Sequence, residues 1–326
     1  MLFEFAPGER FNFLAAFAQQ LGSSLQGNTV TLPPWFGVGT IKRVRLSPDF
    51  SLLIHQYTLT DELILRRTAA DNTADRINVL FEASDRVDGQ PGAADVAPTD
   101  RRQANTVRIT SPDIDSEICF PPRQRIVFVV LSMDRSALLG LLRINRMNGV
   151  VEQILGGAQA FLFYETLSAD AHQTLRTLVA IDDQEELADL RIWIQVQALL
   201  CWLFERLLAR DTRTHRPIHR VDADGLSRVR AAVVSDLSVP PQLAQLAQLA
   251  GMSPSKLTDL FRQVFGESIY EYYQKVRMAE AGHLLRQAGY SVSETGYQLG
   301  FSNLSHFSRL FEKHYGIKPK RFATNK

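Results

Sequence analysis

Apolar and polar positions change rhythm twice along the chain. Near its start Phe11, Leu14, Phe17 and Leu21 fall on one helical face, and Gly22 ends the pattern. From about residue 28 the period drops towards two. Residues 29–32, 39–46 and 51–59 are short, β-branched and apolar, with Pro and Gly between them. Ile41, Val44, Leu46, Leu53, Ile54, Tyr57 and Leu59 are the expected inner faces. Segments 63–67, 77–82, 107–110 and 118–120 continue the series, and residues 125–132, RIVFVVLS, form an apolar run suited to a buried strand. Residues 85–105 are rich in Gly, Pro, Asp and Ala and read as a long exposed loop. The pattern predicts a β-sandwich or barrel.

After Asp134 the texture turns helical. Residues 137–143 and 151–155 are short helical segments, 171–181 a longer one, and 185–210 the longest. At about 1.5 Å per residue the last spans about 39 Å. Its apolar positions cover more than one face, so it suits a core helix, a subunit-contact helix of a homodimer, or both. Residues 211–224, DTRTHRPIHRVDAD, are polar and contain a proline, as an interdomain linker does. The expected organisation is α+β: residues 1–210 as a β-rich, cupin-like sandwich with helices, 211–224 as linker, and 225–326 as an all-α domain.

The all-α part carries an internal repeat. Helical patterns cover residues 226–237 and 243–250, Gly251 breaks the second, and residues 253–265 follow, with Ser253 as N-cap and Pro254 at the first helical position. A helix-turn-helix needs a small residue where its helices cross, a glycine at the turn and an apolar residue on the second helix. Ala247, Gly251 and Leu257 meet that need. Gly296 and Gly300 repeat Ala247 and Gly251 further along the chain. Leu257, Leu260, Phe261, Phe265 and Gly266 recur in the same order as Phe307, Leu310, Phe311, Tyr315 and Gly316, with one extra residue after the glycine of the turn. Between the copies, residues 267–287 form a helical pattern about 30 Å long, close to the roughly 34 Å of one DNA turn. Two reading helices on one face of a duplex are the expectation.

Charge sharpens this picture. The net charge is +1, but residues 225–326 hold 13 Lys+Arg against 7 Asp+Glu, a net of +6, leaving −5 for the rest. Only the C-terminal third suits a polyanion. Cys119 and Cys201 cannot build a disulfide framework and sit in apolar sequence, so buried free thiols are expected. No apolar run reaches membrane-spanning length. The opening MLFEFAPGERFNF lacks the basic start of a signal peptide, and a reducing cytoplasm is the expected setting. The seven histidines form no metal-ligand spacing. No phosphate loop or nucleophile elbow appears, so neither an enzyme nor a cofactor is expected.

The C-terminal residues resemble the DNA-binding domain of AraC/XylS-type transcription regulators. The matching pieces are Arg277-Met-x-x-Ala281-x-x-Leu284-Leu285, Gly300-Phe301, Phe307-x-Arg309-x-Phe311 and Gly316-x-x-Pro319-x-x-Phe322. Glu312 and Ala323 depart from the family pattern, which removes phosphate contacts. The resemblance implies that Ser255, Lys256, Thr258 and Asp259 on one helix, and Asn303, Leu304, Ser305, Ser308 and Arg309 on the other, face base edges. Asp259 either accepts from cytosine or orients a neighbour, and Arg309 either reads a base or orients its helix. His306, Lys313, Lys318, Lys320 and Arg321 are the phosphate candidates.

The same resemblance implies an N-terminal domain that senses a small molecule or mediates dimerisation, and an activator that contacts RNA polymerase on promoter DNA. Residues 105–142, together with SPSKLTDLFRQVFG, are similar to AraC-type regulators of siderophore uptake and synthesis, which implies a ferric siderophore as effector. Trp35, Tyr57, Arg123 and Arg125 could serve a planar or anionic ligand, but each better suits a core or surface position. The alternatives are control by a protein partner and an enzyme with an appended DNA-binding domain.

Overall fold

The computed structural model describes residues 1–8, 11–69, 75–85, 106–157, 160–210, 218–286 and 289–324. They fall into two compact units, one ending at Ala223 and one beginning at Asp224.

The first unit is a sandwich. Its large sheet has eight antiparallel strands in the order β11-β8-β7-β10-β5-β4-β3-β2. At its centre lie β5 (Phe50–Leu59) and β10 (Arg125–Asp134), and β10 also pairs with β7 (Arg76–Asp85). On its flanks lie β2 (Leu25–Gln26), β3 (Thr29–Thr31), β4 (Gly37–Arg45), β8 (Thr106–Thr110) and β11 (Leu162–Thr166). A three-stranded sheet joins β1 (Leu2–Phe5), β6 (Leu63–Arg67) and β9 (Ser116–Phe120), with β1 parallel to β6. The run RIVFVVLS is apolar on both sides because β10 feeds two cores. Val127, Val129, Leu131 and Met133 pack towards the helices. Ile126 and Phe128 pack between the sheets, against Phe3, Leu65, Phe120 and α1 (Phe13–Leu21).

Strand β1 is not visible as a strand in the apolar pattern, which is short there and continuous with the helix signal. Its ladder partner is remote in sequence, with Leu2 opposite Ile64. Helix α1 starts later than the pattern suggests. Asn12 caps it by accepting from the Ala15 amide, and Gly22 closes it at φ 63°.

Four helices cover the other face of the large sheet: α2 (Arg135–Leu142), α3 (Gly149–Gly156), α4 (Ala169–Val179) and α5 (Ala188–Leu208). Helix α5 is 21 residues long and buries Ile192, Val196, Leu199, Leu203 and Leu207 along one side. The expectation of buried thiols is overturned. Cys119 and Cys201 are both exposed. Cys119 lies on β9 beside Glu62, its Sγ 2.9 Å from the carboxylate, and Cys201 lies on the outer side of α5. In both places strand or helix phase turns the thiol away from the apolar neighbours that surround it in sequence.

The expected linker is only partly irregular. Residues 211–217 lie outside the described residues, but α6 (Arg220–Ser235) already includes residues 220–224. The expected loop 85–105 lies outside them too, apart from Asp85, which ends β7. The second unit is all-helical. It contains the residues of α6 from Asp224 on, then α7 (Leu243–Ala250), α8 (Pro254–Phe265), α9 (Ile269–Arg286), α10 (Val292–Gln298), α11 (Leu304–Tyr315) and α12 (Pro319–Thr324). Among the described residues, no helix is long and apolar enough to cross a membrane, and no group of three or more His, Cys, Asp or Glu is placed to hold a metal ion.

Candidate nucleic-acid interface

Each half of the second unit is a helix, a turn and a reading helix. In the first half α7 ends at Gly251, whose φ of 67° lets its N–H reach the Ala247 and Gln248 carbonyls. Ser253 then caps α8 by accepting from the Lys256 amide at 3.2 Å, and Pro254 occupies the first turn. In the second half Ser291 and Glu294 form a capping box at the start of α10. Leu299 is its C-cap, and Gly300 follows at φ 75°. The residue inserted in the second copy is thus absorbed at the turn.

Both reading helices bury one aromatic stripe and turn the other side outward. On α8, Leu257, Leu260, Phe261, Val264 and Phe265 are buried, with Phe265 and Phe261 packing on Tyr272 of α9. On α11, Phe307 and Phe311 are buried, and Phe311 meets Tyr315 and Phe322. Arg286 lies 3.7 Å from the Phe322 ring centre.

A buried arginine fixes the second half on α9. Arg277 donates from Nε and Nη2 to the Leu299 carbonyl, at 2.9 and 2.6 Å. Its guanidinium lies 3.6 Å from the Phe301 ring centre. Burial pushes its pKa down from the ordinary arginine value. Leu299 closes α10, so Arg277 satisfies a helix-end carbonyl at the turn that aims α11. Gly300 sits beside it. A Cβ there would overlap the Ser238 carbonyl oxygen and lie 2.8 Å from both Ser238 C and Cα.

The outward sides place the expected contact residues unevenly. Ser255 and Asp259 are exposed on α8, whereas Lys256 and Thr258 are half-buried, and the Thr258 hydroxyl donates to the Pro254 carbonyl. Ser305 and Arg309 are exposed on α11, and Ser308 is half-buried. Two expected base readers also serve the fold. The Asn303 carboxamide oxygen accepts from the Ser305 and His306 amides as the N-cap of α11. Leu304 packs on α10, with Cδ2 2.5 Å from where a Cβ on Gly296 would stand. His306, Lys313, Lys318, Lys320 and Arg321 are all exposed, as phosphate contacts require.

One outward residue escapes the sequence reading. Arg262 is exposed on α8, one helical turn beyond Asp259 and two beyond Ser255. That spacing alone carries the signal. Its counterpart on α11 is Glu312. The outer line of α8 therefore runs Ser255, Asp259, Arg262, and that of α11 runs Ser305, Arg309 and the half-buried Glu312. Acid and base are exchanged between the two.

The residues expected to hold an effector do not converge. Tyr57 is 3% exposed and packs between the sheets beside His55, with its hydroxyl 3.5 Å from His55 Nδ1. Burial pushes the His55 pKa down to about 3 and raises that of Tyr57. Trp35 is 61% exposed, and Arg123 and Arg125 are exposed at the β9–β10 turn. Arg125 pairs in register with Thr58, so strand alternation sends it to the face opposite Tyr57.

A helix-turn-helix domain family model matches residues 246–325. The HTH-type transcriptional activator Btr of Bacillus subtilis is 28% identical over 137 residues, 42% of this chain and 24% of that protein. The arabinose operon regulatory protein of Escherichia coli is 30% identical over 122 residues, 37% of this chain and 42% of that protein. The crystal structure of an AraC-type transcriptional regulator from Chromobacterium violaceum matches with 28% identity, covering 31% of this chain and 90% of that one, at a TM-score of 0.30. The chain spans less than half the length of both of these curated relatives. The second unit is a helix-turn-helix DNA-binding domain. The relatives that match it are transcription regulators and not enzymes.

Proposed function

We propose that the whole chain is a sequence-specific transcription regulator whose two reading helices contact different bases, and whose first unit adjusts that contact in response to a small molecule. The observation that carries the reading is the pair of outward faces. Asp259 and Arg262 on α8 stand where Arg309 and Glu312 stand on α11. An arginine suits guanine O6/N7 or a phosphate, and a carboxylate suits cytosine N4. The two half-sites under one monomer are therefore different sequences.

Promoter DNA footprinted by the full chain is expected to show two unlike half-sites about one turn apart. Asp259→Arg shifts preference in the first half-site only, and Arg309→Asp in the second only. Absence of any salt-dependent binding to promoter DNA sinks the reading. So does a shift of both half-sites by one substitution.

Activation through RNA polymerase and a cytoplasmic setting accompany this reading, as the family resemblance implies. A ferric siderophore is the effector suggested by the resemblance of residues 105–142. Footprints taken with and without ferric siderophores test it: an unchanged footprint and unchanged affinity discard that effector while leaving the DNA reading intact.

A further inference from the structure

Helix α6 starts in one unit and runs on in the other. Its residues up to Ala223 belong to the first unit and those from Asp224 on to the second. At its start, Arg220 pairs through Nη2 with Oδ2 of Asp115. Asp115 stands in the turn between β8 and β9, and that turn is held from several directions. The other Asp115 oxygen accepts from the Ala69 amide at 2.6 Å, just past β6. Arg67, the last residue of β6, donates to the Pro112 and Ile114 carbonyls of the same turn, at 3.0 and 2.6 Å. Arg108 on β8 donates to the Ser116 hydroxyl at 2.6 Å. The Ser111 amide donates to the Phe161 carbonyl at 3.1 Å, and the Phe161 amide donates to the Ser111 hydroxyl at 3.0 Å. The Asp115 carboxylate is therefore preorganised, with its side chain 16% exposed, whereas that of Arg220 is 58% exposed.

Five residues on, α6 lies against the turn of the first helix-turn-helix. A Cβ on the buried Gly225 would stand 2.9 Å from the Ala250 carbonyl oxygen and 3.0 Å from Met252 Cε. One turn further, Arg228 Nε donates to the Leu249 carbonyl at 3.4 Å. Leu249 and Ala250 end α7, and Gly251 and Met252 lead into α8. Only about 7.5 Å of helix separates Arg220 from Gly225. A hydrogen-bonded helix passes a shift of its start along so short a stretch. The second reading helix is held differently. Arg277 ties its turn to α9, and Ser238, which packs on Gly300, lies beyond the end of α6 at Ser235.

We propose that Asp115 and Arg220 are positioning residues for α8. The first unit fixes the start of α6 through this ion pair, and α6 sets the turn that aims the first reading helix. The inference rests on the reading of α8 as a base-contacting helix.

The first test is amide hydrogen exchange of the full chain without DNA. Arg220→Ala and Asp115→Asn are each expected to speed exchange across residues 249–257 about threefold. Asparagine keeps the acceptor for the Ala69 amide, and Arg220 is exposed, so both variants retain the fold. The double variant should be no faster than either single one, as a shared pair requires. Arg220→Lys should exchange like the unmodified chain. Gly225→Ala presses on the Ala250 carbonyl directly and should speed the same stretch. In footprints, Arg220→Ala should weaken protection of the α8 half-site about threefold and leave the α11 half-site unchanged. Additive effects in the double variant, faster exchange confined to residues 218–223, or equal weakening of both half-sites overturns the proposal. Absence of salt-dependent DNA binding by the unmodified chain removes the DNA reading alone, because the exchange result is obtained without DNA.

Discussion

Gly251 and Gly300 occupy equivalent turns, and their replacement by alanine separates backbone strain from close packing. Both lie in the left-handed region, at φ 67° and 75°. Placing an alanine there costs about 1 kcal/mol at either site. At Gly251 a Cβ meets nothing within 4 Å, so strain is the whole effect. At Gly300 the Cβ overlaps the Ser238 carbonyl, and that segment has little freedom to retreat. Its neighbour Leu237 accepts from the Tyr273 hydroxyl at 2.9 Å, and the Ser238 amide donates to Asp236 at 2.8 Å. Overpacking of this kind adds about 1–3 kcal/mol. Gly251→Ala is therefore expected to cost about 1 kcal/mol and Gly300→Ala about 2–4 kcal/mol. The tryptophans, Trp35, Trp193 and Trp202, all belong to the first unit, so their fluorescence is blind to this loss. Hydrogen exchange of the α10 and α11 amides in the full chain reads it directly. Equal loss of protection in the two variants would refute the reasoning, since the turns would then differ in nothing but position.

Arg277→Met removes the donors to the Leu299 carbonyl and leaves that oxygen unsatisfied, at a cost of about 2–4 kcal/mol. The same exchange experiment should show it, together with weaker protection of the second half-site in footprints. His55 gives a pH signature. Its folded pKa of about 3 lies below the ordinary 6.5, so the unfolded chain takes up a proton first. Its burial costs nothing above pH 6.5, and stability falls through it by about 1.4 kcal/mol per unit as pH drops from 6.5 towards 3. Urea titrations followed by tryptophan fluorescence should show about 2 kcal/mol more loss between pH 7 and 5 in the unmodified chain than in His55→Gln; equal losses contradict the assignment. Lys320→Ala should weaken binding to all DNA sequences alike and flatten the salt dependence by about one unit in log–log slope.

Much of the reader is legible because its rules are local. Ser253, Pro254, Gly251 and Gly316 signal their caps within a few positions, and the repeated apolar stripe marks two buried helix faces. What the local pattern does not show is decided elsewhere. Asn303 has a base-reading side chain, yet it stands just before α11 and its oxygen is taken by two amides. Leu304 lies in the reading helix, but its phase points it at Gly296. Arg262 lies past the first turns of α8, beyond the positions the family resemblance marks as base-facing. In the first unit, the alternation on β5 shows that a strand exists but not which face meets which core. Leu53 and Ile54 are both expected to face inward. The structure sends Ile54 to the helix-side core and leaves Leu53 partly buried between the sheets. Strand β1 depends on a remote partner, Ile64 for Leu2, which no local pattern encodes.

The pairing distances in the first unit also set a clock. Strand β5 meets β10 with Phe50 opposite Met133, and β1 waits for β6. The second unit closes its helices mostly over shorter separations, as where Arg277 reaches Leu299, although Gly300 also packs on Ser238. Contacts of the latter kind form in microseconds to milliseconds, and sheets of the former kind in milliseconds to seconds. On refolding of the full chain from urea, the second unit is therefore expected to mature before the first.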